Sequence, residues 1–89
     1  MNVRVVYKDL KDKEFLDKIN LETPIFIEYI DVNTKKGKNE GWKIINYYGT
    51  RTFPFIEVET DEDKLLPFYS ERGNAIGQLI NYLNNDCKN

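Results

Sequence analysis

Gly49-Thr50-Arg51-Thr52-Phe53-Pro54-Phe55-Ile56-Glu57-Val58-Glu59 carries the chain out of one element and into the next. Just before it, Trp42, Ile45 and Tyr48 recur at helical spacing with Ile44 beside them, which predicts an amphipathic helix over 40–48 with Trp42 and Tyr48 in the core. Asn39 is placed to cap that helix, and Gly49 suits the left-handed position that follows a helix C-terminus. Beyond Pro54 the period falls to two. Phe55, Glu57 and Glu59 alternate with Ile56 and Val58, so a strand is expected over 52–59.

Working outward, Asp61 to Lys64 reads as a turn and Leu65 to Tyr69 as a second strand, paired with the first as an antiparallel hairpin. Pro67 lacks a backbone N–H, which restricts that strand to a sheet edge. Gly73-Asn74 ends it, and Asn74 is a cap for a helix bearing Ile76, Leu79, Ile80 and Leu83. Upstream, residues 33–39 look like a polar loop holding Lys35, Lys36, Gly37 and Lys38. Ile25 to Val32 is almost continuously apolar, as expected of a strand covered on both faces, and its Glu28 needs an edge or a partner. Pro24 breaks the chain before it. Lys11 to Asn20 carries Phe15, Leu16 and Ile19 at helical spacing, and Val3 to Lys8 is a short β-branched strand. The fold class is therefore α/β, in the order β-α-β-α-β-β-α. A helical crossover makes the first two strands parallel, giving a mixed four-stranded sheet flanked by three helices. Residues 1–84 form one domain and 85–89 a frayed tail.

The chain has 89 residues, no histidine, one cysteine and a net charge of -2. Without histidine, Ser-His and Cys-His nucleophile pairs and imidazole metal sites are excluded. A lone Cys87 excludes an internal disulfide and cysteine-rich metal sites. The acidic balance argues against general nucleic-acid binding. No charged-then-apolar leader opens the chain, and no apolar run approaches the roughly 20 residues of a membrane span. A cytoplasmic location without membrane attachment is expected. Abundant Asn, Lys and Ile beside three arginines suggest an A/T-rich genome, bacterial or viral.

The element order resembles that of glutaredoxins and of the thioredoxin core. Gly49-Thr50-Arg51-Thr52-Phe53-Pro54 resembles the glutaredoxin segment G-x-R-T-V-P, whose proline is cis. Tyr48-Gly49 looks like the helix end "YG" of thioredoxins, and Ile30-Asp31-Val32 resembles the second glutaredoxin strand. Gly73 with Gly77-Gln78-Leu79 is similar to the closing helix of thioredoxins. In order, these matches span most of the chain from Met1 to Leu83. They imply a thioredoxin-like, glutaredoxin-type fold. One departure stands out. Where glutaredoxins read Y-S-K-P-x-C-P-Y-C, this chain reads Tyr7-Lys8-Asp9-Leu10-Lys11-Asp12-Lys13-Glu14-Phe15, with Asp12 and Phe15 about where the cysteines fall. Thiol-disulfide exchange needs a thiolate, so the redox dithiol chemistry of the family is expected to be lost.

What remains of the family pattern is a groove. The resemblance places Asp12, Phe53-Pro54 and Gly73 along it, with Arg51 and Thr52 beside them. In the family, the residue before the proline lends its backbone to an extended peptide or to glutathione, a role that needs no cysteine. Each residue also has a plainer reading. Pro54 opens an edge strand, Arg51 is a surface cation, Asp12 favours a helix N-terminus, and Phe53 and Phe15 are core. Glu57, Glu59, Asp61, Glu62 and Asp63 splay along a strand and turn, which suits a solvated rim able to steer a basic partner better than a metal site. Lys35, Lys36, Lys38 and Lys43 read as a solvated loop, and Cys87 as an unused thiol. The expectation is a non-redox module binding a protein or peptide, for which a viral source would suit size and composition. Glutathione held in the same groove for a transferase or thiol oxidoreductase step is the alternative. A small structural subunit of an assembly is a third reading, and the oligomeric state stays open.

Overall fold

The computed structural model describes residues 1–18, 25–69 and 74–85. Ile19, Pro24, Gly73 and Cys87 lie outside the described residues. Seven elements follow in the expected order: β1 (Asn2–Tyr7), α1 (Leu10–Lys18), β2 (Phe26–Asp31), α2 (Lys35–Tyr48), β3 (Phe55–Glu59), β4 (Leu65–Phe68) and α3 (Ala75–Asn85). They form a small α/β unit around a mixed sheet ordered β2-β1-β3-β4. β1 runs parallel to β2 and antiparallel to β3, and β3 pairs antiparallel with β4.

The two faces of the sheet are built differently. Val3 and Val5 of β1 and Ile56 and Val58 of β3 point to one face and pack with Leu16 of α1 and Ala75, Ile76, Leu79 and Leu83 of α3. The opposite face holds a smaller cluster of Val6, Ile30, Phe55 and Ile44 of α2. Pro67 sits on β4, which is an edge strand as its missing N–H requires. Asn74 caps α3, its side-chain oxygen accepting from the Ile76 N–H at 2.9 Å.

Three expectations change. First, β2 is the other edge of the sheet, with Phe26 and Glu28 exposed, so it is not covered on both faces. An apolar run of that length is compatible with an edge strand whose outer end is left bare. Second, α2 starts at Lys35 and absorbs most of the loop expected at 33–39. Thr34, not Asn39, caps it, its hydroxyl accepting from the Gly37 N–H at 3.0 Å and donating to the Asp31 carbonyl at 2.7 Å. Its buried side is Gly37, Gly41 and Ile44, with Tyr48 half-buried behind them. Glycine carries no hydrophobic signal, so that face is invisible to a search for apolar periodicity. The helix ends as expected at Gly49, with φ of 73° and its N–H donating to Ile45 O. Third, Phe15 is 53% exposed and Trp42 59% exposed, so neither is core.

α2 crosses the strands instead of running along them. Lys36 reaches Glu28 of β2 at 2.7 Å, Glu40 reaches Arg4 of β1 at 3.6 Å, and the Tyr48 hydroxyl donates to Glu57 of β3 at 2.9 Å. Arg4 stands in register between Glu28 and Glu57, so one row of the sheet alternates in charge beneath the helix.

Candidate binding cleft

β1, β2 and the α2–β3 loop end at the same side of the sheet, and α2 begins there. Between them lies a cleft of about 580 Å³. Lys8 comes from the end of β1, and Val32 and Asn33 follow β2. Lys38, Gly41, Trp42 and Ile45 form the wall along α2, while Arg51 and Phe53 close the cleft from the loop. Gly41 lies beside Phe53, whose ring tip would be in ordinary contact, 3.8 Å, with a Cβ placed there. Arg51 stacks over the Trp42 ring at 5.6 Å, a cation–π contact that holds the guanidinium on the wall.

The charge is one-sided. Lys8, Lys38 and Arg51 all line the cleft, and no carboxylate, thiol or hydroxyl side chain is among the described lining residues. Asn33 and Lys38 flank the first turn of α2, the positive end of the helix dipole. In a chain of net charge -2 this concentrates positive charge where apolar aromatic surface is also available. Such a lining holds an anionic group against a flat apolar wall.

The loop explains why Phe53 is offered. Thr50 is buried, and its hydroxyl lies 3.0 Å from that of Thr52 and accepts from the Thr52 N–H at 3.3 Å. The turn is thereby closed on itself up to Thr52. Pro54 is buried behind it, the Phe53–Pro54 peptide bond is cis, and β3 starts at Phe55. Between those two fixed points, the N–H and C=O of Phe53 form no hydrogen bond with a described residue. Its side chain is half-buried against the Val6, Ile30, Ile44 and Phe55 cluster.

Of the residues expected in a groove, Arg51 and Phe53 line the cleft, and Pro54 and Thr52 support it from behind. Asp12 is not among the lining residues. It sits in the first turn of α1, half-buried, and burial followed by the charge of Asp9 raises its carboxyl above the usual range. Gly73 lies outside the described residues. Sequence reading missed the α2 wall, taking Lys38 for loop and Trp42 for core. The signal that would have found it is the Gly37–Gly41 spacing, which marks the inner side of α2 and turns Lys38, Trp42 and Ile45 toward the cleft.

Among the described residues, no group of His, Cys, Asp and Glu is arranged to hold a metal ion, and no helix is long and apolar enough to cross a membrane. No family model, curated protein or solved structure matches the chain.

Proposed function

We propose that this chain is a divergent glutaredoxin-like domain that has lost its redox dithiol and serves as a binding module for an extended peptide segment bearing a carboxylate. The reading is supported by the β-α-β-α-β-β-α order and by the G-x-R-T-x-P segment entering β3. The observation that carries it is the pairing of Phe53 main-chain groups, unengaged among the described residues, with Lys8, Lys38 and Arg51 around one cleft. An extended peptide satisfies those main-chain groups as an added strand would, while its carboxylate meets the cations. Phe53 and Trp42 supply apolar area for a neighbouring side chain.

The same cations favour a second reading, in which glutathione is the peptide. Both readings use one cleft, so one titration separates them. Amide spectra would be followed while adding an acidic tetrapeptide with a free C-terminus, the same peptide amidated, and reduced glutathione. The proposal expects the free-acid peptide to shift the amides of Lys38, Gly41, Arg51 and Phe53. Arg51→Glu should weaken that binding about tenfold or more, the usual scale for losing a charged hydrogen-bond partner. Glutathione binding more tightly than the tetrapeptide would move the assignment to the second reading. Shifts scattered away from the cleft, or none at millimolar concentration, with both the tetrapeptide and glutathione would sink both.

A further inference from the structure

α2 crosses the sheet at the level of Arg4 and above, and one row of the same face lies beyond it. That row runs Phe26, Asn2, Glu59, Leu65 across all four strands in register. Phe26 is 80% exposed and Leu65 52% exposed, large values for apolar residues on the face of a sheet. Together with Arg4, Glu28 and Glu57, these residues line a shallow trough of about 310 Å³.

We infer that this bare row is a docking surface for a helix of a partner protein, carrying an aliphatic stripe with Lys or Arg beside it. The dimensions fit a helix. Strands about 4.8 Å apart set Phe26 and Leu65 roughly 14 Å apart, the length of about nine helical residues. A helix lying beside α2 and in the same direction across the strands would touch both ends and complete the half-built layer. Charge selects its sequence. Glu59 lies in the row and pairs with no cation among the described residues, and Asp63 in the adjoining turn is likewise without one. The row lies at the opposite end of β1 from Lys8, so this surface is separate from the peptide cleft.

The test uses a displayed library of helical 16-residue peptides selected on the whole 89-residue chain. Selected helices should carry Leu or Ile on one stripe with Lys or Arg adjoining, and should bind less well as salt rises. The best of them should shift the amides of Asn2, Phe26, Glu59 and Leu65. Affinity should fall about tenfold or more in Phe26→Ser,Leu65→Ser and severalfold in Glu59→Lys. All three positions are exposed, and an unchanged melting temperature would confirm that each variant folds. Selected helices that are acidic, that bind the double variant equally, or that shift the cleft amides would overturn the inference. So would an empty selection, or sedimentation showing a dimer that the Phe26→Ser,Leu65→Ser variant dissociates.

Discussion

Gly37 of α2 faces the main-chain carbonyl of Asp31 so closely that a Cβ at Gly37 would lie 1.8 Å from the carbonyl oxygen. That oxygen also accepts from the Thr34 N–H at 3.1 Å and the Thr34 hydroxyl at 2.7 Å. Backbone therefore meets backbone where α2 leaves the sheet, and no flexible side chain is available to yield.

Gly37→Ala should cost about 2–4 kcal/mol, because either the helix start or the end of β2 must move. Gly77 provides the contrast, since it is exposed in α3 and its nearest new neighbour, the Asn74 Cβ, lies at 3.7 Å. Gly77→Ala should raise stability by about 0.5–1 kcal/mol through helix propensity. Urea denaturation of the pair checks both signs. Equal effects would show that the close approach is not felt.

Arg4 lies 3.3 Å from Glu28, 3.6 Å from Glu40 and 3.9 Å from Glu57, all on partly exposed side chains. Exposed pairs of this kind contribute little singly, but one cation here holds three carboxylates together. Arg4→Ala should cost about 1–2 kcal/mol at low ionic strength and visibly less in 1 M salt. A salt-independent loss would assign the effect to the packing of the arginine stem instead.

Tyr48 sets a limit at high pH. Burial, and secondarily its hydrogen bond to Glu57, push its hydroxyl up to about 12. The unfolded chain ionises this group near pH 10, so it holds fewer protons than the folded one between 10 and 12. The stability contributed by the neutral hydroxyl is whole below pH 10 and drains away as pH climbs toward 12. Tyr48→Phe should cost about 0.5–1.5 kcal/mol at pH 8 and lose less than the wild type on going to pH 11. Parallel slopes for the two proteins in urea melts at these pH values would refute it.

The cleft assignment separates two residues that the sequence treats alike. Arg51→Glu should abolish most carboxylate-dependent peptide binding, while Asp12→Asn should leave it within about twofold, because Asp12 lies outside the lining. Burial raises the Asp12 carboxyl, so removing its charge should also leave stability at neutral pH unchanged or slightly higher, with loss of the helix-dipole contact in opposition. Equal weakening by both substitutions would place the groove nearer α1.

Much of the architecture was legible because each element carries its own stop signal. Gly49, Pro54 and Asn74 act through local backbone geometry: α2 ends before Gly49 and α3 begins after Asn74 as expected, while β3 begins after Pro54, at Phe55, and not at Thr52. What was not legible depended on which layer covers which strand. The Ile25–Val32 run reads as central, yet β2 is an edge, because strand order is a long-range outcome absent from local pattern. α2 was shortened because Thr34 and Gly37 stabilise its first turn through hydrogen bonds and close approach, neither of which has an apolar period. Arg51 and Phe53 were readable from the loop motif. Lys8, Lys38 and Trp42 join them only once α2 is laid across the sheet.

The unequal faces of the sheet make the layers unequal under strain. The α1 and α3 face is sealed by Leu16, Ile76, Leu79 and Leu83, whereas α2 rests on Ile44, two glycines and a screen of charges. Amide protons of α2 should therefore trade with solvent deuterium well before those of β1 and β3, in an opening that spares the rest. Since α2 is also one wall of the cleft, any molecule that spans Lys38 and Arg51 would fasten the looser leaf to the firmer one. Occupancy would then register as slowed exchange along the whole helix, far beyond the residues touched.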